Sequence, residues 1–168
     1  MRVAQPDIQI RLFQKNDYSA CAKIYKDGMD TGIATFETKV PDWDTWNAKF
    51  LKQCRFVAEA NQTILGWCAL TPFSSRKVYK GVAEVTIYVA KEAQQKGIGK
   101  LLLQHLIKES EKANFWTLQA KIFPENIASI KLHESYGFRK VGVRKKIAMR
   151  GGIWYDNVLL ERRSHQIV

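Results

Sequence analysis

The feature that most constrains this chain is a change of hydrophobic period around two glycines. Val85-Thr86-Ile87-Tyr88-Val89 is an apolar, β-branched run, and Leu101 to Ala113 is amphipathic at helical spacing. Between them stands Gln94-Gln95-Lys96-Gly97-Ile98-Gly99. The segment therefore reads as a strand, a short loop and a helix N-terminus. The first turn of a helix leaves backbone N–H groups without partners and carries a partial positive charge. Glycine lets the backbone approach a ligand closely, because no Cβ intervenes. A loop of this kind is suited to a diphosphate. Two familiar phosphate loops are excluded. A dinucleotide fingerprint needs a third glycine where Leu102 stands, and a P-loop needs Ser or Thr after Gly99-Lys100, where the chain has Leu101.

The chain has 168 residues, 46% hydrophobic and 26% charged, which is enough to bury a real core in one domain spanning 1–168. It has no apolar run long enough to cross a membrane, and Met1 to Asp7 lack the apolar stretch of a signal peptide. A cytoplasmic protein without a membrane partner is expected. Cys21, Cys54 and Cys68 are odd in number and scattered, which argues against a disulfide framework. His105, His133 and His165 are isolated, and no metal is expected. The net charge of +11 raises nucleic-acid binding as a reading. However, the basic residues are spread along the chain, with a mild excess from Arg139 to Arg163, and no nucleic-acid motif accompanies them. No nucleic-acid partner is expected, whereas a polyanionic cofactor benefits from the positive potential.

Periodicity gives the remaining elements. Ile8, Ile10 and Leu12 alternate as a first strand. Asn16-Asp17 can cap a helix that buries Cys21, Ile24 and Tyr25, and Pro41-Asp42 opens a second with Trp43, Trp46, Phe50 and Leu51 at helical spacing. Phe56–Ala60 and Thr63–Thr71 form a hairpin around Asn61-Gln62, and Val82–Val89 is the next strand. The helix from Gly97 to Lys112 is predicted to turn Ile98, Leu101, Leu102, Leu106 and Ile107 inward. Trp116–Phe123 is a strand, Glu125-Asn126 opens a helix that Gly137 stops, and strands at 138–143 and 154–161 close the chain. The order β-α-α-β-β-β-α-β-α-β-β implies an α/β (α+β) fold with a mixed sheet and helices on both faces.

Three motifs then occur in sequence: Val82 to Val89 with the glycine loop, Asn126-Ile127-Ala128-Ser129, and Tyr136-Gly137-Phe138. Together they resemble the GNAT acyltransferase superfamily, which binds acetyl-CoA. Arg76 to Val89, Thr35-Phe36 and Gly151-Gly152-Ile153-Trp154-Tyr155-Asp156 are similar to its phosphinothricin and methionine-sulfoximine N-acetyltransferase branch. The resemblance implies a GNAT fold with a central sheet of about seven strands and transfer of acetyl to the α-amine of a small amino-acid-like acceptor. It also implies a homodimer.

Glu84 and Tyr88 share one face of their strand, with Val85, Ile87 and Val89 on the other. A carboxylate in so apolar a strand is unusual. Burial would raise its pKa toward that of a general base, while pairing with a nearby Lys or Arg at a sheet edge is the plainer reading. The resemblance favours the base. It also gives Tyr136 the role of acid to the leaving thiolate, although the same residue can be a core tyrosine. The resemblance places the cofactor on Ile87, Tyr88, Val89, Gln94, Gln95, Gly97, Ile98, Gly99, Asn126 and Ser129, with the Val89 N–H toward the thioester oxygen, while Lys96 and Lys100 flank the loop as phosphate contacts or as solvent-facing lysines. Arg76 can pair with an acceptor carboxylate, Phe36, Tyr79 and Trp154 can form aromatic walls, and Asp156 can steer an ammonium group. No cysteine stands in a motif, so attack is direct, in a ternary complex. Two other readings stay open: acetylation of a protein N-terminus or polyamine, and a basic module that binds CoA or nucleic acid without turnover.

Overall fold

The computed structural model describes residues 7–168. Residues 1–6, which include most of the segment read for a signal peptide, lie outside the described residues. The elements follow the predicted order: β1 (Gln9–Leu12), α1 (Tyr18–Asp30), α2 (Trp43–Lys49), β2 (Phe56–Ala60), β3 (Thr63–Pro72), β4 (Val82–Val89), α3 (Ile98–Lys112), β5 (Thr117–Ile122), α4 (Ile127–Ser135), β6 (Arg139–Arg150) and β7 (Ile153–Arg163). Three short 3₁₀ turns, at Lys15–Asp17, Lys77–Tyr79 and Lys91–Ala93, have no counterpart in the sequence reading. Among the described residues, no helix is long and apolar enough to cross a membrane.

The strands form one seven-stranded sheet in the order β1-β2-β3-β4-β5-β7-β6. Every neighbouring pair is antiparallel except β4 and β5, which run parallel. That parallel pair is in register only over Val82–Glu84 against Thr117–Gln119. Just before it, the Gly81 carbonyl accepts the N–H groups of Trp116 at 2.8 Å and Thr117 at 3.1 Å. The Trp116 ring lies so close to Gly81 that a Cβ there would be 2.1 Å from it. Beyond Glu84 the two strands part.

One face of the sheet carries α1 and α2. Trp46, Phe50 and Trp67 interlock there with Tyr25 and Tyr88 at ring spacings of 4.8–6.1 Å. Edge-to-face and offset arrangements of this kind add about 0.5–1.5 kcal/mol per pair beyond burial. The helix starts follow their capping chemistry unevenly. Asp42 caps α2 by accepting the Thr45 N–H at 2.8 Å, as the sequence indicates. Asp17, expected to cap α1, makes no such bond. Its carboxylate takes Arg11 at 2.8 Å and the Gln14 N–H at 2.7 Å instead, because β1 brings a guanidinium within reach.

The opposite face carries α3. Its buried residues are Ile98, Leu102, Leu103, Leu106, Ile107 and Ser110. The predicted inward Leu101 is 39% exposed. At 3.6 residues per turn, the stripe through Leu102 and Leu106 admits Leu103 on its flank and leaves Leu101 beyond the other edge. The last two strands are also longer than expected. β6 and β7 pair as a ribbon from Arg139 to Arg163, broken by irregularities between Lys140 and Gly142 and between Arg144 and Ala148. Alternation fails at these breaks in β6, which is why the sequence showed only its first part, up to Val143, beside most of β7.

Candidate active site

A cleft of about 1010 Å³ opens where β4 and β5 part. Its walls are Glu84 to Val89 on β4 and Ala120 to Phe123 on and just after β5. Its floor and far end are the glycine loop, the start of α3, and Asn126, Ser129, Leu132 and His133 of α4. From Val85 onward, β4 has a strand partner on its β3 side only. Backbone groups on its other side are free to meet a ligand, since an extended segment laid along them completes the ladder.

The glycine-loop end of the cleft is built by conformation. Gln95 and Gly97 have φ of +61° and +83°, in the left-handed region. Gly97 is the N-cap of α3 and makes no side-chain cap bond, while Leu101 N–H is the first to reach back, to the Gly97 carbonyl at 3.1 Å. The amides of Ile98, Gly99 and Lys100 precede it in an open first turn. A Cβ at Gly99 would be 3.2 Å from Leu132, so the loop packs tightly on α4. Of the cofactor residues expected from sequence, all but Lys96 line this cleft. Lys96 lies on the exposed loop outside it.

Asn126 caps α4 by accepting the Ser129 N–H at 3.2 Å, and its amide donates a long bond of 3.5 Å to the Ile33 carbonyl. One amide hydrogen remains for a ligand. Ser129 is tied into the same region, because its carbonyl meets His133 Nδ1 at 2.8 Å. A carbonyl only accepts, so Nδ1 carries the proton and Nε2 presents a lone pair. That Nε2 is buried and unpartnered. Burial lowers the His133 pKa, which keeps the ring neutral. Sequence reasoning set His133 aside as isolated, because its significance comes from the helix turn above it and from the cleft wall.

Glu84 differs from the expected buried, unpaired carboxylate. Its side chain is 30% exposed, opens into the cleft and pairs with Lys121 Nζ at 2.6 Å. The pair sits at mid-sheet, where β4 and β5 diverge, and not at a sheet edge. Tyr136 is also placed differently. It is the C-cap of α4, packs against the core and is not part of the cleft wall.

Of the expected acceptor residues, the cleft gathers Phe36 alone. Phe36 stacks on Phe123 at 4.4 Å and meets Tyr155 at 5.8 Å. Arg76 and Tyr79 stack on each other at 5.6 Å on an exposed loop, and Trp154 is 56% exposed at the tip of the ribbon. The Asp156 carboxylate accepts the Lys146 N–H at 2.7 Å and so braces the ribbon's irregularity. Within one copy of the chain, these four stand away from the cleft.

The Phe36 side of the cleft is closed by residues 31–36, a segment without regular structure. Four successive carbonyls there are each taken by a side chain from another element. Arg150 donates to Gly32 at 2.7 Å and to Thr35 at 2.8 Å, Asn126 to Ile33, and Tyr88 to Ala34 at 3.2 Å. Arg150 also lies over the Tyr155 ring, 4.8 Å from its centroid. A loop that forms no ladder must satisfy its carbonyls in this way if it is to hold one shape.

The chain matches the family model described as an acetyltransferase (GNAT) domain over residues 10–159, and it belongs to that family. It is 32% identical over 159 residues to the phosphinothricin N-acetyltransferase of Alcaligenes faecalis, covering 91% of this chain and 81% of that one. It is 27% identical to the L-methionine sulfoximine/L-methionine sulfone acetyltransferase of Salmonella typhimurium, covering 90% and 92% of the two chains. A phosphinothricin acetyltransferase of Sinorhizobium meliloti, solved with acetyl-CoA, superposes with a TM-score of 0.86 at 26% identity, covering 96% and 90%. The protein is thus an acetyl-CoA-dependent N-acetyltransferase related to these enzymes.

The carbonyl array yields a prediction. Arg150→Ala removes two charged hydrogen bonds from the 31–36 segment, and the KM for the amine acceptor is expected to rise about tenfold. The KM for acetyl-CoA should stay within about twofold, because the glycine loop does not touch Arg150. Arg150→Lys should recover part of the loss. Steady-state kinetics with each substrate varied in turn checks this.

Proposed function

We propose that the protein acetylates the α-amine of a small amino-acid-like acceptor of the phosphinothricin, methionine sulfoximine or methionine sulfone type, by direct attack on acetyl-CoA. The observation that carries the reading is the place of Glu84. Among the described residues it is the single acidic residue lining the cleft, on β4 where the pairing with β5 ends. Acetyl-CoA would lay its diphosphate on the amides of residues 97–100 and its pantetheine arm along Ile87 to Val89, with Asn126 and Ser129 at its flank. The acceptor would enter on the Phe36 side.

An acceptor ammonium must lose a proton before its lone pair can attack. Glu84 would take that proton, directly or through water. The amine nitrogen then bonds to the thioester carbon, and the Val89 N–H would meet the developing oxyanion. The C–S bond breaks as the nitrogen sheds its second proton. The thiolate takes up one proton to give CoA, and the other proton goes to solvent. A thiol of pKa about 8.5 is a competent leaving group without a strong acid. Tyr136 therefore has no required part, and the neutral His133 is an acceptor for a donor on the cofactor arm. A covalent acyl-enzyme is not needed. None of the three cysteines lines the cleft, and burial raises their pKa, for Cys21 to about 12 and for Cys54 to about 11.

Thiol release from acetyl-CoA tests the reading, with methionine sulfoximine, methionine sulfone, phosphinothricin, polyamines and short peptides as acceptors. Turnover is expected on the first three. Glu84→Gln should lower kcat/KM on them by about 10²–10⁴-fold with acetyl-CoA binding intact. Turnover confined to peptides or polyamines would overturn the acceptor class. CoA binding without turnover would favour a binding module.

We further propose that the chain forms a homodimer. β6 is an edge strand and presents exposed Val141, Val143, Ile147 and Met149, with Ile153 and Trp154 beside the turn. These exposed apolar side chains, interspersed with Lys140, Lys145 and Lys146, gain by burial against a second copy. Sedimentation velocity should give twice the 19.3 kDa chain mass, and Ile147→Lys with Met149→Lys should shift it toward the monomer. A wild-type monomer at micromolar concentration would contradict the proposal.

A further inference from the structure

Three lysines line the cleft, and they differ in what they face. Lys49 pairs with Glu37 at 3.2 Å, and Lys100 sits on the first turn of α3 at the phosphate end. Lys49 lies toward the Phe36 side but is held by Glu37, whereas Lys121 is in contact with Glu84 at 2.6 Å. The two come from different strands. Glu84 is in register with Gln119, so Lys121 lies two residues further along β5, on the same face, where the strands begin to part.

We infer that Lys121 is the anchor for a carboxylate on the acceptor, and that the Glu84–Lys121 pair is opened by an α-amino acid. This rests on the acceptor class proposed above. Both side chains are partly open to solvent, at 30% and 37%. A pair so exposed is worth about 0–1 kcal/mol, so it exchanges partners readily. An α-amino acid carries an ammonium and a carboxylate on one carbon. That zwitterion is complementary to the pair: its ammonium meets Glu84 and its carboxylate meets Lys121, giving four charges of alternating sign. Binding frees the Glu84 carboxylate from Lys121 and brings it against the proton it must accept. An amine lacking the carboxylate leaves Lys121 on Glu84, where it competes with the substrate ammonium. Arg76, the residue that sequence suggested for this task, is exposed and outside the cleft wall.

The test compares methionine sulfone with its decarboxylated analogue, 3-(methylsulfonyl)propylamine, in wild-type protein, Lys121→Met and Lys121→Arg. Wild-type protein should prefer the amino acid. Lys121→Met should lose about 30-fold in kcat/KM on the amino acid, chiefly in KM, as expected for removal of one charged hydrogen bond, while the amine, relieved of the competing lysine, should hold or gain. Lys121→Arg should keep the preference. Melting temperature and the KM for acetyl-CoA report whether Lys121→Met stays folded. Equal losses on both acceptors, or no loss on the amino acid, would overturn the inference while leaving the acetyltransferase reading intact. Wild-type protein that turns over neither acceptor would overturn the acceptor class, and this inference with it.

Discussion

The structure depends on a parallel strand pair that stops after three residues. β4 and β5 are held together at Val82–Glu84 and Thr117–Gln119, clasped by the Gly81 carbonyl under the Trp116 ring. A full ladder would satisfy the β4 backbone internally and leave no space between the strands. Because the pairing ends at Glu84, the rest of β4 keeps one free edge, and a cleft opens along it. The same divergence leaves room for the Glu84 and Lys121 side chains to meet across it. The α3 N-terminus lines the same cleft, so the glycine loop and the Glu84 carboxylate share one continuous surface.

Electrostatics follow from this arrangement. The chain's net charge of +11 is spread over its surface, while the cleft itself holds one carboxylate and three lysines. That balance suits a polyanionic cofactor entering along the glycine loop. The aromatic packing around Trp46, Trp67 and Tyr88 gives β4 a rigid back on the α1 side. Its Tyr88 hydroxyl, held well above the usual phenol range by burial, stays protonated and donates to the Ala34 carbonyl. One residue thereby joins the core to the 31–36 segment of the cleft wall.

Much of the fold was legible because its signals are local. Alternation marked β1, a turn between two apolar runs marked β2 and β3, a β-branched run marked β4, helical spacing marked the buried Cys21, Ile24 and Tyr25, and the positive-φ Asn61-Gln62 and Gly137 stand at the turns that sequence assigned them. Misreadings arose where distant contacts decide. Leu101 looked inward until the packing of Leu103 set the face of α3, and Asp17 was drawn from capping by Arg11. The glycine-loop end of the cleft was legible because glycines and a helix start carry their own chemistry. The Phe36 end was not. Lys121 meets a carboxylate on a neighbouring strand, His133 a helix carbonyl and Arg150 a loop far along the chain, and none of these contacts leaves a mark in spacing. Arg76, Tyr79 and Trp154 are attractive residue types in positions that, within one chain, face solvent.

The central claim is that the parted β4–β5 edge is the acetyl-CoA site. A crystal structure with acetyl-CoA bound tests it most directly. The account predicts the diphosphate on the backbone amides of residues 97–100 and the pantetheine running along Val85–Val89, with the thioester near Glu84. Acetyl-CoA bound elsewhere, or β4 and β5 closed into a continuous ladder, would contradict it.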